Sequence, residues 1–163
     1  MPIQILKDEQ FLPRARDLVR GATQSIYIST FKAEITSKPR GQKLFEFWTC
    51  LAERAASNIE VRVLFNIPQE GKHIPPSNAK ALKFLEKAKI KVRQIPGNRL
   101  CHAKILIVDN AYAIVGSHNL CVRACHFNFE VSTFIIDFDH CKDLSTIYND
   151  LWEKSRPTIY KYK

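Results

Sequence analysis

The chain has no apolar run long enough to span a bilayer, and its first residues, "MPIQILKDEQFLPRARD", lack the uninterrupted apolar centre of a secretory leader. Both absences set the expectation of a cytoplasmic protein that stays where it is made and has no stable membrane association. Glycine is scarce, at 5 of 163 residues, and no Ser/Gly-rich or repetitive tract reads as a linker. A chain of this length without linkers is expected to form one domain, 1–163, around a single core. There is no CxxC pair, no HExxH and no acidic cluster, so neither a metal nor a cofactor is expected. Five cysteines, Cys50, Cys101, Cys121, Cys125 and Cys141, are an odd number scattered through apolar segments. They read as buried thiols in a reducing compartment; Cys121, Cys125 and His126 cluster without zinc-binding spacing.

What the chain has in excess is positive charge, a formal +9. Such a balance favours polyanionic partners, nucleic acid or an anionic membrane surface, without choosing between them.

Segments of helical period alternate with short β-branched runs, the pattern of an α/β fold. The expected architecture is a mixed, largely parallel β-sheet flanked by helices on both faces. "FLPRARDLVRGA" places Phe11, Ala15, Leu18 and Ala22 on one face, and "GQKLFEFWTCLAERAA" repeats this with Leu44, Trp48, Leu51 and Ala55; each hands over to a strand. "PPSNAKALKFLEKAKI" predicts a helix capped by Ser77, with Leu82 and Leu85 inward and Lys80, Lys83 and Lys87 in solvent. The strands "IKVRQI", "HAKILIVD", "AYAIVGS" and "NFEVSTFII" follow, and "LSTIYNDLWEK" closes the chain as a helix. Two long loops, with Lys38 and Arg40 in one and Lys72 and His73 in the other, are candidate lips of a groove.

Three apolar strands are each interrupted by a polar pair two residues apart: His102 and Lys104, Ser117 and Asn119, Asn128 and Glu130. Residues two apart on a strand face the same way, so each pair is presented together. Polar groups held in a half-buried sheet cost free energy unless they pair with each other or with a ligand, and three such pairs point to a site. HxK alone is uninformative, since chance supplies about half a match in a chain of this composition. His140 and Lys142 form such an empty match. The longer pattern, His102-x-Lys104-x4-Asp109-x6-Gly116-Ser117-x-Asn119, fixes six residues over eighteen positions and is improbable by accident.

With those six residues the sequence resembles the phospholipase D superfamily, whose HKD motif is HxKxxxxDxxxxxxGSxN, with no insertion or deletion. The resemblance extends to Glu130, which lies where the compact single-motif endonucleases of that superfamily carry the carboxylate that supports the catalytic histidine. It implies that His102 attacks phosphorus to form a phosphohistidine, that a second copy of the histidine protonates the leaving oxygen, and that hydrolysis needs no metal. Lys104, Ser117 and Asn119 would stabilise the nonbridging oxygens, and Glu130 would orient a histidine. Asp109 and Gly116 are expected to be structural, since Asp109 stands just before a turn. His118 should face away from the site, and His126 reads as a structural histidine.

Because only one full motif is present, the resemblance implies a homodimer with its site on the twofold axis. The expected activity is that of a sequence-nonspecific endonuclease acting on DNA, with RNA as an alternative. Lys38, Arg40, Lys72, Arg99 and Asn128 are candidate substrate contacts. A phospholipase D or phosphatidyl-transfer enzyme acting on anionic phospholipid is the second reading, and a catalytically inactive nucleic-acid-binding module the third.

Overall fold

A computed structural model describes residues 3–66, 75–96 and 99–158. The strands are β1 (Ile3–Lys7), β2 (Ser25–Thr30), β3 (Glu60–Phe65), β4 (Lys91–Gln94), β5 (Ile105–Val108), β6 (Tyr112–Gly116), β7 (Val131–Ile135) and β8 (Arg156–Pro157). The helices are α1 (Phe11–Gly21), α2 (Gln42–Ala56), α3 (Ser77–Lys87), α4 (Val122–His126) and α5 (Phe138–Lys154). The strands form one mixed sheet in the order β1-β7-β6-β5-β2-β3-β4-β8.

The sheet is mixed as expected, but it is not largely parallel. Only β2–β3 and β3–β4 run parallel; the other pairings between neighbouring strands are antiparallel. Parallel pairing needs a crossover of a dozen or more residues, and among these neighbours only α2 and α3 supply one. The step from β5 to β6 is instead only three residues, of which Asp109 and Asn110 take φ of 54° and 52° at the centre of a turn closed by Ala111 N–H on Val108 O at 3.1 Å. Positive φ at both central residues gives that turn the twist of the strands it joins.

Helices cover both faces. Phe11, Leu12, Ala15 and Val19 of α1, Leu44, Phe47, Trp48 and Leu51 of α2, and Leu82 and Leu85 of α3 pack with Ile26, Ile28, Val63, Leu106 and Ile114. On the opposite face Cys141, Tyr148 and Trp152 of α5 pack with Tyr27, Leu64, Ile107 and Ala113. All six residues of β2 are buried, as expected of a central strand sandwiched between helices. The Tyr148 hydroxyl, fully buried, donates within this core toward Ile28 O at 3.2 Å and Arg62 O at 3.0 Å.

Lys80, Lys83 and Lys87 are exposed as the spacing predicts, but Ser77 is the first helical residue of α3 and Pro76 holds the cap position. The empty HxK match also finds its explanation. His140 lies in the first turn of α5, where its backbone N–H and ring both bond the capping carboxylate of Asp137, at 3.0 and 2.7 Å.

Candidate active site

Antiparallel register brings the motif to one rim of the sheet. Ser29 near the end of β2 lies opposite Ile105 at the start of β5; Ile105 lies opposite Val115 near the end of β6; Gly116 lies opposite Ser132 near the start of β7. Residues 102–104, 117–119 and 128–130 therefore project from neighbouring strand ends.

His102 and Lys104 sit in the lead-in to β5 rather than on the strand itself. Side chains replace the ladder there. The Asn66 amide accepts from Cys101 N–H and donates to Cys101 O, both at 2.8 Å, and the Ser29 hydroxyl donates to Ala103 O at 3.1 Å. Asn78, also buried, donates to Asn66 O and Phe31 O and accepts from Ala33 N–H. The two asparagines thus tie the histidine segment to the segment carrying Phe31, whose ring lies 5.1 Å from the imidazole of His102.

Lys104 Nζ lies 3.0 Å from His102 Nδ1 and 3.3 Å from Nε2, and donates to the His102 carbonyl at 2.5 Å. An ammonium can only donate, so a ring nitrogen facing it accepts through its lone pair. Desolvation pushes the Lys104 pKa below that of an ordinary lysine, against the opposing pull of Cys101 and Glu130. His102 itself is exposed, and an open concavity is lined by His102, Lys104, Ser117 and Asn119.

Glu130 is buried, and its carboxylate is held from both ends: the Ser117 hydroxyl donates to one oxygen, and the Asn128 amide donates to the other at 2.9 Å. Its backbone N–H donates to Asp8 Oδ1 at 2.9 Å. Within one chain the carboxylate thus serves Ser117 and Asn128. Asn119 Oδ1 accepts from Thr30 Oγ1, Phe31 N–H and Lys32 N–H, which commits its oxygen and leaves its amide donors to serve a ligand.

Asp109 stands at the far end of β5 from His102. Its carboxylate accepts from Thr23 N–H and hydroxyl, Gln24 N–H and Ser25 N–H at 2.8–2.9 Å, clamping the start of β2. Desolvation opposes its charge, but these hydrogen bonds prevail and hold its pKa below the usual carboxylate value. Gly116 is required by space: a Cβ there would lie 2.3–2.5 Å from Ser132 and Val131 atoms.

His118 faces away from the site, stacked on Phe11 at 4.4 Å, with Nδ1 against Ser132 Oγ at 2.7 Å and Nε2 against Asp8 O at 3.0 Å. His126 pairs with Glu9 at 3.6 Å. The five cysteines are free and buried, and burial, with Cys121 adding to it, pushes the Cys125 thiol up to about 12. Among the described residues no group of three or more His, Cys, Asp or Glu side chains is placed to hold a metal ion.

Of the candidate contacts, Asn128 joins the site, Lys38, Arg40 and Arg99 are exposed, and Lys72 lies outside the described residues. Arg40 lies over the ring of Phe127 at 5.7 Å. Sequence reasoning missed Asn66, Asn78, Asp8 and Phe31. The signal for Asn66 was present in "VLFN", where a buried amide closes an apolar strand and must find partners.

A family model described as "Cardiolipin synthase, PLD-like domain" matches residues 16–152. A cardiolipin synthase of Geobacillus sp. is 29% identical over 113 residues, which are 69% of this chain and 22% of that protein. The chain thus spans about a fifth of the length of the curated relatives it matches. Among solved structures, Nuc from Salmonella typhimurium, a phospholipase D family member, superimposes with a TM-score of 0.79 at 17% identity, over 97% of this chain and 98% of that one. NucT from Helicobacter pylori does so with a TM-score of 0.75 at 16% identity, over 96% and 98%. At these identities the superpositions establish a shared fold.

Proposed function

The chain belongs to the phospholipase D-like family, and from that membership we propose that it is a metal-independent phosphodiester hydrolase, a sequence-nonspecific endonuclease whose site is completed by a second copy of the chain. The observation that carries the reaction is the meeting of His102, Lys104, Ser117 and Asn119 around one open concavity. An exposed imidazole is available to a large substrate, and the ammonium and hydrogen-bond donors beside it suit the nonbridging oxygens of a phosphodiester.

In the first step a His102 ring nitrogen forms a bond to phosphorus, the P–O bond to the leaving strand breaks, and the partner's His102 gives its proton to the departing oxygen. In the second, water attacks the phosphohistidine, its proton passes to the same partner histidine, and the P–N bond breaks to release a phosphomonoester. Lys104 from each copy offsets negative charge on the nonbridging oxygens. One chain supplies one such histidine, so the reading requires a dimer. The edge strand β1 leaves Ile3 and Ile5 48% and 58% exposed, an apolar strip of the kind a second copy covers.

Nucleic acid is the favoured substrate because the chain superimposes end to end on the compact Nuc while covering about a fifth of the cardiolipin synthases, and because the loop beside the site presents Lys38 and Arg40 to a polyanion. Phosphatidyl transfer is the second reading, favoured by the cardiolipin synthases among its relatives; among the described residues no helix is long and apolar enough to cross a membrane. Incubation with EDTA and, in separate arms, single-stranded DNA, duplex DNA, RNA and vesicles of anionic phospholipid decides between them. Cleavage of a polynucleotide with chelator present supports the endonuclease, and turnover of lipid alone replaces it with the second reading. Light scattering at micromolar concentration should give twice the chain mass; an active monomer would refute the shared site.

A further inference from the structure

Two of the largest exposed apolar side chains in the molecule flank the site. Phe127 is 58% exposed and Phe129 77%, with Asn128 between them bonding Glu130. Leaving a phenylalanine this far in water forfeits the free energy its burial would give, so two in three residues beside a reactive centre call for a ligand. Each ring is also accompanied by a cation: Arg40 lies 5.7 Å from the Phe127 centroid and Lys7 lies 5.2 Å from that of Phe129. Each cation comes from a different part of the chain, one from the loop before α2 and one from the end of β1.

We propose that Phe127 and Phe129 are stacking platforms for unpaired nucleobases, with Arg40 and Lys7 taking the flanking phosphates, so that the substrate class is single-stranded nucleic acid. This rests on the endonuclease reading above. A ring with a cation over one face and exposed surface left for a base on the other matches the alternation of base and phosphate along a single strand, and it tolerates any base because each has a π-face. In a duplex those faces are already stacked on one another and are closed to a protruding ring. Asn128 fixes the spacing: it anchors the turn between the two rings to Glu130, so a strand held on both sides of it is presented to the site with its backbone toward Ser117 and His102.

The test measures binding of wild-type and His102→Ala protein to a single-stranded oligonucleotide, the same strand with its bases removed, the duplex, and anionic vesicles. It is repeated with Phe127→Leu, Phe129→Leu and Phe→Tyr at both positions. Leucine keeps the apolar bulk that a protein or lipid contact would use and removes the π-face; tyrosine restores it. The expected result is that the base-bearing strand binds more tightly than the abasic strand and the duplex. Each leucine substitution should weaken that strand about tenfold, leave the abasic strand unaffected, and be rescued by tyrosine. Equal binding of abasic and base-bearing strands by the wild type would overturn the proposal. So would a loss of vesicle binding or of the dimer in the leucine variants, which would assign the rings to lipid or to the subunit interface. If the wild type shows the base preference yet cleaves no polynucleotide, the endonuclease reading fails while the stacking site stands.

Discussion

The side-chain amide of Asn66 bonds both backbone groups of Cys101, at 2.8 Å each, and so stands in for a strand neighbour where β5 has not yet begun. His102 follows directly. Asn66→Ala leaves a buried N–H and a buried carbonyl unpaired and is expected to cost about 2–4 kcal/mol. Asn66→Asp can keep only the bond from Cys101 N–H and should recover part of that. Urea denaturation reads the stability, and kcat measured on the folded fraction should fall with Asn66→Ala because the imidazole is no longer held.

Asp109 carries the third letter of the motif yet holds the start of β2 with four hydrogen bonds, at the far end of β5 from His102. Asp109→Ala is expected to destabilise by about 2–4 kcal/mol, through loss of charge-assisted bonds to backbone donors. The folded fraction should keep activity close to that of the wild type. A folded Asp109→Ala protein as inactive as His102→Ala would place the carboxylate in the chemistry instead.

Gly116 lies against β7 so closely that any Cβ overlaps Ser132 and Val131 backbone atoms. Gly116→Ala should separate β6 from β7 at the point where Ser117 meets Glu130. A loss of several kcal/mol, of the order seen for overpacked interiors, is expected in thermal melts, with a larger fractional loss of activity than of folded protein.

The motif was legible in the sequence because its chemistry fixes residue types at rigid spacing, and antiparallel register delivers His102, Ser117 and Glu130 to one rim. The inward faces of α1, α2 and α3 were equally legible from their period. The sheet direction was not: the sequence marks a turn at Asp109, but without a glycine there it does not announce the positive φ of Asp109 and Asn110 that makes β5 and β6 an antiparallel hairpin. Ser77 looked like a cap by residue type, yet Pro76 takes the cap position and Asn78, inside the helix, carries the structural task. Asn66 and Asn78 act across separations of 35 and 45 residues, on Cys101 and Ala33, which no local pattern records.

His118 gives the fold an acid limit. Burial lowers its pKa most, while the Asp8 carbonyl and the charges of Glu130 and Asp8 raise it in part. A histidine with a depressed folded pKa binds its proton more readily when unfolded, so stability falls as pH drops below about 6.5 and levels off below the depressed value. Asp109, also depressed, adds stability that is present above about 3.8 and is lost as pH falls through its own folded pKa. His118→Gln should flatten the first of these losses and leave the second, as read by denaturant midpoints across pH.

The central claim, that His102 becomes covalently bound to phosphorus, is tested most directly by trapping. Single-stranded DNA labelled at internal phosphates is mixed with the protein in EDTA, quenched with alkaline denaturant, digested, and the labelled peptide sequenced by mass spectrometry. The expected result is a base-stable, acid-labile label on His102, absent from His102→Ala, whose hydrolysis rate should fall by at least about a thousandfold, on the scale of losing an essential nucleophile. Hydrolysis that continues in His102→Ala, or a wild-type enzyme that turns over with no label on His102, would contradict it.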